Sequence, residues 1–295
     1  MINLTLRQLR YFESLARLGH FGQAAEASSV SQPALSMQIK EMEAALGVAL
    51  FDRTPRNVHL TEFGAAFAPR VRDILRQVDE LEDLARAARD RLMGRLRIGV
   101  IPTVAPYLLP RIIGDLMARF PGLDLHVRET LTPRLVTELS EGRLDAAIVA
   151  LPVSESALTE VALFSESFVL VRPLADADKP VPNRDALREM RLLLLEEGHC
   201  FRDQALSFCA MGANQPRELL DGSSLSTLVQ MVGAGIGVTL IPDMAVAVET
   251  RSAAVAVARF ATPEPSRTIG MVWRRSSPLG PALMQIADVV RGVGG

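Results

Sequence analysis

The residues of this chain best suited to chemistry lie in Glu197-Gly198-His199-Cys200-Phe201-Arg202-Asp203-Gln204, followed by Cys209. Cys200 and Cys209 are the only two cysteines among 295 residues and stand nine positions apart. The thiolate is the reactive form of cysteine, and neighbouring cations and helix N-termini favour it. Cys200 follows a histidine, precedes an arginine by two positions, and comes just after Gly198, where a helix can begin. If residues 200–209 form one helix, nine steps separate the two Cα atoms by roughly 13 Å. Nine steps of about 100° also leave the side chains on opposite faces. A disulfide requires Cα atoms within about 7 Å, so the pair can bond only if the helix comes apart. A reactive thiol, a distant second thiol and a forced rearrangement describe a redox switch.

Two blander readings stand beside it. A free cysteine is usually a small buried hydrophobe, and Cys209 between Phe208 and Ala210 suits that. The two cysteines with His199 could instead bind zinc. Against this, the spacing is not CxxC, no second Cys/His pair follows, and adjacent ligands at 199 and 200 are awkward. No metal and no cofactor are therefore expected, but the residues alone leave inert cysteines and a redox pair both open.

These residues need a scaffold to position them. With 48% apolar residues, the chain is expected to be a globular protein of two or three domains. A net charge of −2 provides no overall field for nucleic acid or a membrane surface. Only Lys40 and Lys179 are lysines; the other 30 basic residues are arginine. Met1-Ile2-Asn3-Leu4-Thr5 lacks a cationic start followed by an apolar core, so no export signal and a cytoplasmic location are expected. In a reducing cytoplasm, disulfides tend to be transient and regulatory. From Gly222 to Pro242 no residue is charged, yet four glycines and several hydroxyl side chains argue against a membrane span.

At the start of the chain, Thr5 caps a helix on which Leu6, Leu9, Phe12, Leu15 and Ala16 recur at helical spacing, ending near Gly19. Phe21 to Ser28 reads as a short second helix. Ser31 and Pro33 open a third, on which Leu35, Ile39 and Met42 face inward and Gln32, Ser36 and Gln38 point elsewhere. Two helices joined by a tight turn, the second beginning with small polar residues, form the helix-turn-helix pattern. Gln32, Pro33, Ser36 and Met37 are the expected base readers. Two short strands then flank Thr54-Pro55-Arg56-Asn57, a basic wing in which Arg53 and Arg56 would meet phosphate or minor groove. Charge alone does not support DNA binding, because residues 1–60 hold six basic against five acidic side chains. Thr61 opens a long helix to about Arg91, on which Phe63, Phe67, Val71, Ile74, Val78, Leu81 and Leu84 form a stripe suited to a dimer seam.

Residues 5–65 resemble the winged helix-turn-helix of LysR-type transcriptional regulators. The match rests on Phe21-x-x-Ala24-Ala25, Val30-Ser31-Gln32-Pro33-Ala34-Leu35-Ser36, Ile39, Leu46-Gly47, Leu50-Phe51-x-Arg53 and Leu60-Thr61-x-x-Gly64. The resemblance implies homotetramers built from dimers through the linker helix, binding to double-stranded promoter or operator DNA, RNA polymerase as a partner, and a C-terminal sensor domain.

The remainder reads as alternating strands and helices. Strands are expected at 96–100, 123–128, 144–151, 168–171, 192–195, 238–241 and 268–273, with helices around 108–119, 132–141, 185–190, 224–234 and 278–292. The overall class is α/β: a winged helix-turn-helix over residues 1–60, a linker helix over 61–93, and a regulatory domain over 94–295. Late return of the last strand implies two doubly wound lobes, about 94–164 with 268–295 and about 165–267, similar to periplasmic binding proteins. Ligands in such folds lie at strand C-termini and helix N-termini between lobes.

In this half, Gly99-Val-Ile-Pro-Thr103-Val-Ala-Pro-Tyr107-Leu-Leu-Pro110, the block from Leu195 to Ala205, Phe208-Cys209, and Glu264-Pro265-x-Arg267-Thr268-Ile269-Gly270 resemble the hydrogen-peroxide-sensing members of the LysR family. The resemblance implies that Cys200 is the peroxidatic thiol and Cys209 resolves its sulfenic acid as a disulfide. Thiolate stabilisation and hydrogen bonds to the departing hydroxide would come from Thr103, Thr132, His199, Gln204 and Arg267. Each has a plainer role: Thr103 and Thr132 are good helix N-caps, a histidine can be structural, and Arg267, Arg202 and Asp203 can be solvated. The 191–195 run with Phe168, Phe201 and Phe208 gives the thiol an apolar setting. Gly198, Gly212 and Gly222, with Asn214-Gln215-Pro216, make 200–222 a segment that can refold. Sensing would be stoichiometric rather than enzymatic. The rival readings are a LysR-type regulator answering to a small metabolite, with incidental cysteines, and a thiol peroxidase.

Overall fold

The structure, a computed structural model, describes residues 4–53, 58–87, 94–209 and 221–294. The chain divides into two compact units, Met1–Ala85 and Arg86–Gly295. The first contains α1 (Leu6–Leu18), α2 (Phe21–Ala27), α3 (Gln32–Leu46), β1 (Phe51–Arg53), β2 (Val58–Leu60) and α4 (Glu62–Ala87). Thr5 and Gln8 form a reciprocal capping box at the start of α1, and Gly19 ends it in the left-handed conformation. Ser31 caps α3, with Pro33 in its first turn. His20 caps α2, its Nδ1 accepting from Gly22 and Gln23, a role the sequence pattern does not reveal.

Leu9, Phe12, Leu15, Leu35, Ile39, Met42, Leu50 and Val71 are buried together, so the first part of α4 shares this core. Leu6, by contrast, is exposed. The antiparallel β1–β2 ribbon pairs Phe51 with Leu60 and Arg53 with Val58. Gly64 is sterically required, because a Cβ there would lie 2.1 Å from the Leu50 carbonyl oxygen. Along α4, Phe63, Ile74, Leu81 and Leu84 are exposed, Leu81 to 66%. The stripe expected from the spacing is thus largely uncovered within this chain.

The second unit contains β3 (Gly94–Val100), α5 (Ala105–Arg119), β4 (Leu123–Glu129), α6 (Thr132–Ser140), β5 (Ala146–Leu151), β6 (Leu158–Pro173), α7 (Arg184–Glu189), β7 (Leu192–Leu195) and α8 (Cys200–Phe208). It continues through β8 (Asp221–Gly222), α9 (Leu225–Gly233), β9 (Val238–Pro242), α10 (Val246–Glu249), β10 (Val255–Arg259), β11 (Ser266–Arg274) and α11 (Gly280–Gly294). The sheet runs β4-β3-β5-β11-β6-β9-β7-β8, and β10 pairs with β6. The pairs β3–β4, β3–β5, β7–β9 and β7–β8 are parallel, as βα crossovers demand.

β6 is much longer than the 168–171 strand expected from sequence. Its first part pairs with β11, and from Phe168 onward it pairs with β9 and β10. It therefore carries the chain from one lobe to the other. Two cores result: one around Ile98, Leu108, Ile148, Met271 and Ile286, the other around Phe168, Leu193, Phe201, Val229 and Leu240. Residues 222–242 divide between α9 and the buried strand β9. Among the described residues, no helix is long and apolar enough to cross a membrane.

Candidate functional site

In the N-terminal unit, burial of Leu35, Ile39 and Met42 turns the opposite face of α3 outward. Gln32, Pro33 and Met37 are exposed, Met37 to 55%, while Ser36 is half-buried. These four follow one another along the start of one helix face, as a base-reading surface requires. The side chain of Arg53 and all of Arg56 lie outside the described residues.

In the regulatory unit, Gly198 turns the chain out of β7 with φ +93, in the left-handed region that glycine tolerates. His199 occupies the N-cap of α8 and Cys200 its first turn. The His199 carbonyl accepts from Arg202 N–H at 2.9 Å. Phe201, Ala205, Leu206 and Cys209 lie on the buried side of the helix and join the second core. Cys200 points the other way, is half-buried, and packs against the first core. Gln204, one turn on from Cys200, shares its face. The Gln204 Oε1 atom is buried without a hydrogen-bond partner.

The start of α6 faces the same loop, since a Cβ on Gly198 would lie 3.1 Å from Leu131 Cδ1. Thr132, next to Leu131, does not cap α6: the N-cap is Leu131, which makes no side-chain cap bond. Its hydroxyl is instead buried and unpartnered. Thr103 is likewise no cap, because Val104 precedes α5 without one. The Thr103 hydroxyl accepts from Arg267 Nη1 at 2.9 Å, and its carbonyl accepts from Nη2 at 3.1 Å.

Arg267 is buried, which corrects the solvated reading. It donates through Nε to one oxygen of Glu166 at 2.8 Å, and Nη2 lies 2.7 Å from the same oxygen in the ion pair. The two side chains are only 1% and 4% exposed. They are direct partners across the β6–β11 ladder. The ring of Phe201 covers the guanidinium with its centroid 5.2 Å from Cζ, a cation–π distance. Phe201 in turn packs edge-on against Phe168 at 4.8 Å. Arg267 thus ties Thr103, Glu166 and the first turn of α8 together. Arg202 is not simply solvated either, since it donates to the Leu195 carbonyl at 2.7 Å.

Electrostatics separates the roles. Burial holds the His199 pKa below the usual 6.5, against a weaker upward pull from Glu196. A neutral imidazole donates or accepts one hydrogen bond but contributes no cationic charge, which leaves Arg267 as the buried cation of the site. Burial pushes the Cys209 thiol from 9.0 up to about 11, against a downward pull from Arg184. Burial also raises the Glu166 pKa, with Arg267 opposing it.

His199, Cys200 and Gln204 thus stand on α8, Arg267 and Thr103 reach its first turn through Phe201, Thr132 follows Leu131 beside Gly198, and Cys209 is set apart in the other core. Phe208 stacks edge-on with Phe260 rather than lining the thiol. Glu166 was not legible in the sequence, because a buried glutamate reveals itself only through its partner 101 residues away. Tyr107 lies on α5, enters the second core, and donates to Glu249 at 2.6 Å. Glu249 also accepts from Ser226 at 2.6 Å. Among the described residues, no three His, Cys, Asp or Glu side chains gather as metal ligands would. Of the segment 200–222 expected to refold, residues 210–220 lie outside the described residues.

Comparisons with known proteins agree with this architecture. Residues 6–65 match the bacterial regulatory helix-turn-helix proteins of the lysR family, and residues 89–294 match the LysR substrate binding domain. A probable hydrogen peroxide-inducible genes activator of Streptomyces viridosporus is 43% identical over 292 residues, covering 97% of this chain and 93% of that protein. The DNA-binding transcriptional dual regulator OxyR of Escherichia coli K12 is 41% identical over 293 residues, covering 98% and 95%. Full-length OxyR of Pseudomonas aeruginosa, a cysteine-to-aspartate variant, superposes with a TM-score of 0.78 at 37% identity, covering 98% of this chain and 95% of that one. A peroxide-bound OxyR cysteine-to-serine mutant from Corynebacterium glutamicum gives 0.68 at 34% identity, covering 99% and 93%. With its DNA-binding and regulatory units both matched and its relatives alike over nearly their whole length, this chain belongs to the LysR family of DNA-binding transcriptional regulators.

Proposed function

We propose that this regulator senses hydrogen peroxide through oxidation of Cys200 and a disulfide with Cys209. One observation carries the reading. Cys200 sits in the first turn of a helix between two cores, with Gln204 on its own face and Thr132 next to Leu131, which meets Gly198; the side-chain oxygens of Thr132 and Gln204 are buried and unpartnered. Buried polar atoms without partners are uncommon and call for an explanation. A small molecule with two O–H donors and four lone pairs would satisfy them.

The chemistry follows from the groups present. The Cys200 thiolate attacks one peroxide oxygen; the S–O bond forms as the O–O bond breaks. Sulfur is oxidised to the sulfenic acid and the departing hydroxide takes up a proton to become water. Thr103 retains its own O–H after accepting from Arg267 and can donate it to the incoming peroxide. Arg267 and the N–H groups opening α8 favour the thiolate and the developing hydroxide. Cys209 then attacks the sulfenic sulfur, forming the disulfide and releasing a second water. Each cycle consumes one peroxide per site, and reduction of the disulfide requires an external thiol; in this reading the oxidation is a stoichiometric sensing step rather than turnover.

In this reading the protein works in the cytoplasm as a homotetramer built from dimers through α4, whose exposed Phe63, Ile74, Leu81 and Leu84 suit a helix partner. It binds promoter DNA with RNA polymerase as its partner there. Oxidation alters the regulatory unit and, through it, the tetramer on DNA. The test uses Cys209→Ser, which cannot resolve the first product. Peroxide should then leave a sulfenic acid at Cys200 that dimedone traps. A Cys200 thiol left unmodified by a small excess of peroxide would refute the proposal and favour a metabolite-responsive regulator.

A further inference from the structure

We infer that Glu166 is a positioning residue for the reaction at Cys200, fixing the orientation and effective charge of Arg267. This deepens the peroxide-sensing reading and rests on it for the identity of the reactive thiol.

Arg267 has five N–H bonds to donate, and three acceptor atoms hold it. Nε donates to a Glu166 oxygen that also lies 2.7 Å from Nη2, Nη1 donates to the Thr103 hydroxyl and Nη2 to the Thr103 carbonyl. These partners come from β6 and from the loop entering α5, so the guanidinium is clamped from two sides. Its flat face lies under Phe201, the residue immediately after Cys200. Rotation of the guanidinium would release Thr103 and disturb the Phe201 ring, and with it the first turn of α8. Glu166 prevents that rotation, because a carboxylate oxygen bridging Nε and Nη2 fixes the fork in its plane.

Charge works in the same place. Glu166 is a buried anion whose only described cationic partner is Arg267, and a backbone hydrogen bond from Met244 also favours its charged form. It therefore offsets part of the positive charge that Arg267 would otherwise present to Cys200. The other titratable groups that interact with it are Asp243, which is paired with Arg259, and Tyr107 on α5; the exposed Glu196 acts on His199 instead. A role confined to strand pairing would leave the thiol indifferent to the carboxylate, whereas a positioning role couples the two.

The experiment uses full-length protein with Cys209→Ser, so that Cys200 is the sole thiol. Iodoacetamide alkylation followed across pH reports the thiolate, and stopped-flow oxidation reports the reaction with peroxide. Glu166→Gln should move the alkylation profile to lower pH, because Arg267 loses its counter-charge, while the peroxide rate constant falls at least tenfold. Glu166→Asp keeps the charge but shortens the reach. It should leave the alkylation profile in place and lower the peroxide rate at least fivefold. If Glu166→Gln does not fold by circular dichroism, the Asp variant decides alone. An unmoved alkylation profile in a folded Glu166→Gln, or an unchanged peroxide rate in Glu166→Asp, would overturn the inference. Failure of wild-type Cys200 to react with peroxide would instead refute the sensing reading, while the alkylation arm would still decide the role of Glu166.

Discussion

Cys200 and Cys209 bound the same nine-residue helix, yet Cys200 packs on the core of one lobe and Cys209 lies wholly buried in the core of the other. About nine helical steps place their Cα atoms roughly 13 Å apart, twice the span of a disulfide. Bond formation therefore requires α8 to unwind and Cys209 to leave its core, taking Phe208 from its ring contact with Phe260. The proposed disulfide would thus form through a local unfolding event.

Hydrogen exchange should report that event directly. In the reduced protein the amides of Ala205 to Cys209 are protected by helical bonds, such as Cys209 N–H to Ala205 O at 3.0 Å. After oxidation the amides of α8 should exchange at least tenfold faster, while those of α9 remain unchanged. Equal protection in both states would mean the disulfide, if formed, leaves the helix intact.

The two thiols should differ sharply before oxidation. Burial raises the Cys209 pKa from 9.0 to about 11. Because the folded value lies above the unfolded one, the neutral thiol's contribution to stability is fully present below pH 9 and is lost as pH rises through about 11. The whole difference corresponds to roughly 2 to 3 kcal/mol. Iodoacetamide at pH 8 should label Cys200 well before Cys209, and denaturant should abolish the difference; equal labelling of the native protein would contradict the buried placement.

A second link between the lobes runs through Tyr107 on α5 and Glu249 on α10. Burial is the main cause raising the Tyr107 pKa well above its ordinary 10.0, with Glu249 adding to it. The link therefore contributes fully below pH 10 and is lost at higher pH. Tyr107→Phe removes a hydrogen bond to a carboxylate and should cost about 1.5 to 3 kcal/mol. Ser226→Ala, which removes the more exposed bond to the same carboxylate, should cost less. Chemical denaturation of the three proteins measures the order, and equal stability of Tyr107→Phe and wild type would show that the link carries no load.

On DNA, Ser36→Ala should relax preference at one base position by about 1 to 3 kcal/mol without altering the salt dependence. Arg53→Ala should weaken binding to all sequences and flatten the salt slope by about one. Fluorescence anisotropy on matched and scrambled duplexes at several salt concentrations separates the two. Uniform loss from both variants would mean that α3 is not the reader.

Much of this was legible in the sequence because local signals carry it. The caps at Thr5 and Ser31, the inward Leu35, Ile39 and Met42, and the opposite faces of Cys200 and Cys209 follow from helical periodicity and turn chemistry. What escaped depends on partners distant in the chain. The strand expected at 168–171 is only the end of β6, which pairing with β11 extends back to Leu158. Val255–Arg259, in which valine and alanine alternate, was not expected as a strand and forms β10 by pairing with β6. Thr103 and Thr132 carry N-cap chemistry locally, but the caps fall at Val104 and Leu131, leaving both hydroxyls to the interlobe site. Glu166 could have been suspected only once Arg267 had been placed opposite it.

The most direct measurement is peptide mapping of the reduced wild-type protein after near-stoichiometric hydrogen peroxide and rapid thiol trapping. The account predicts a Cys200–Cys209 disulfide formed at the expense of both free thiols. Two free thiols after an excess of peroxide would contradict it.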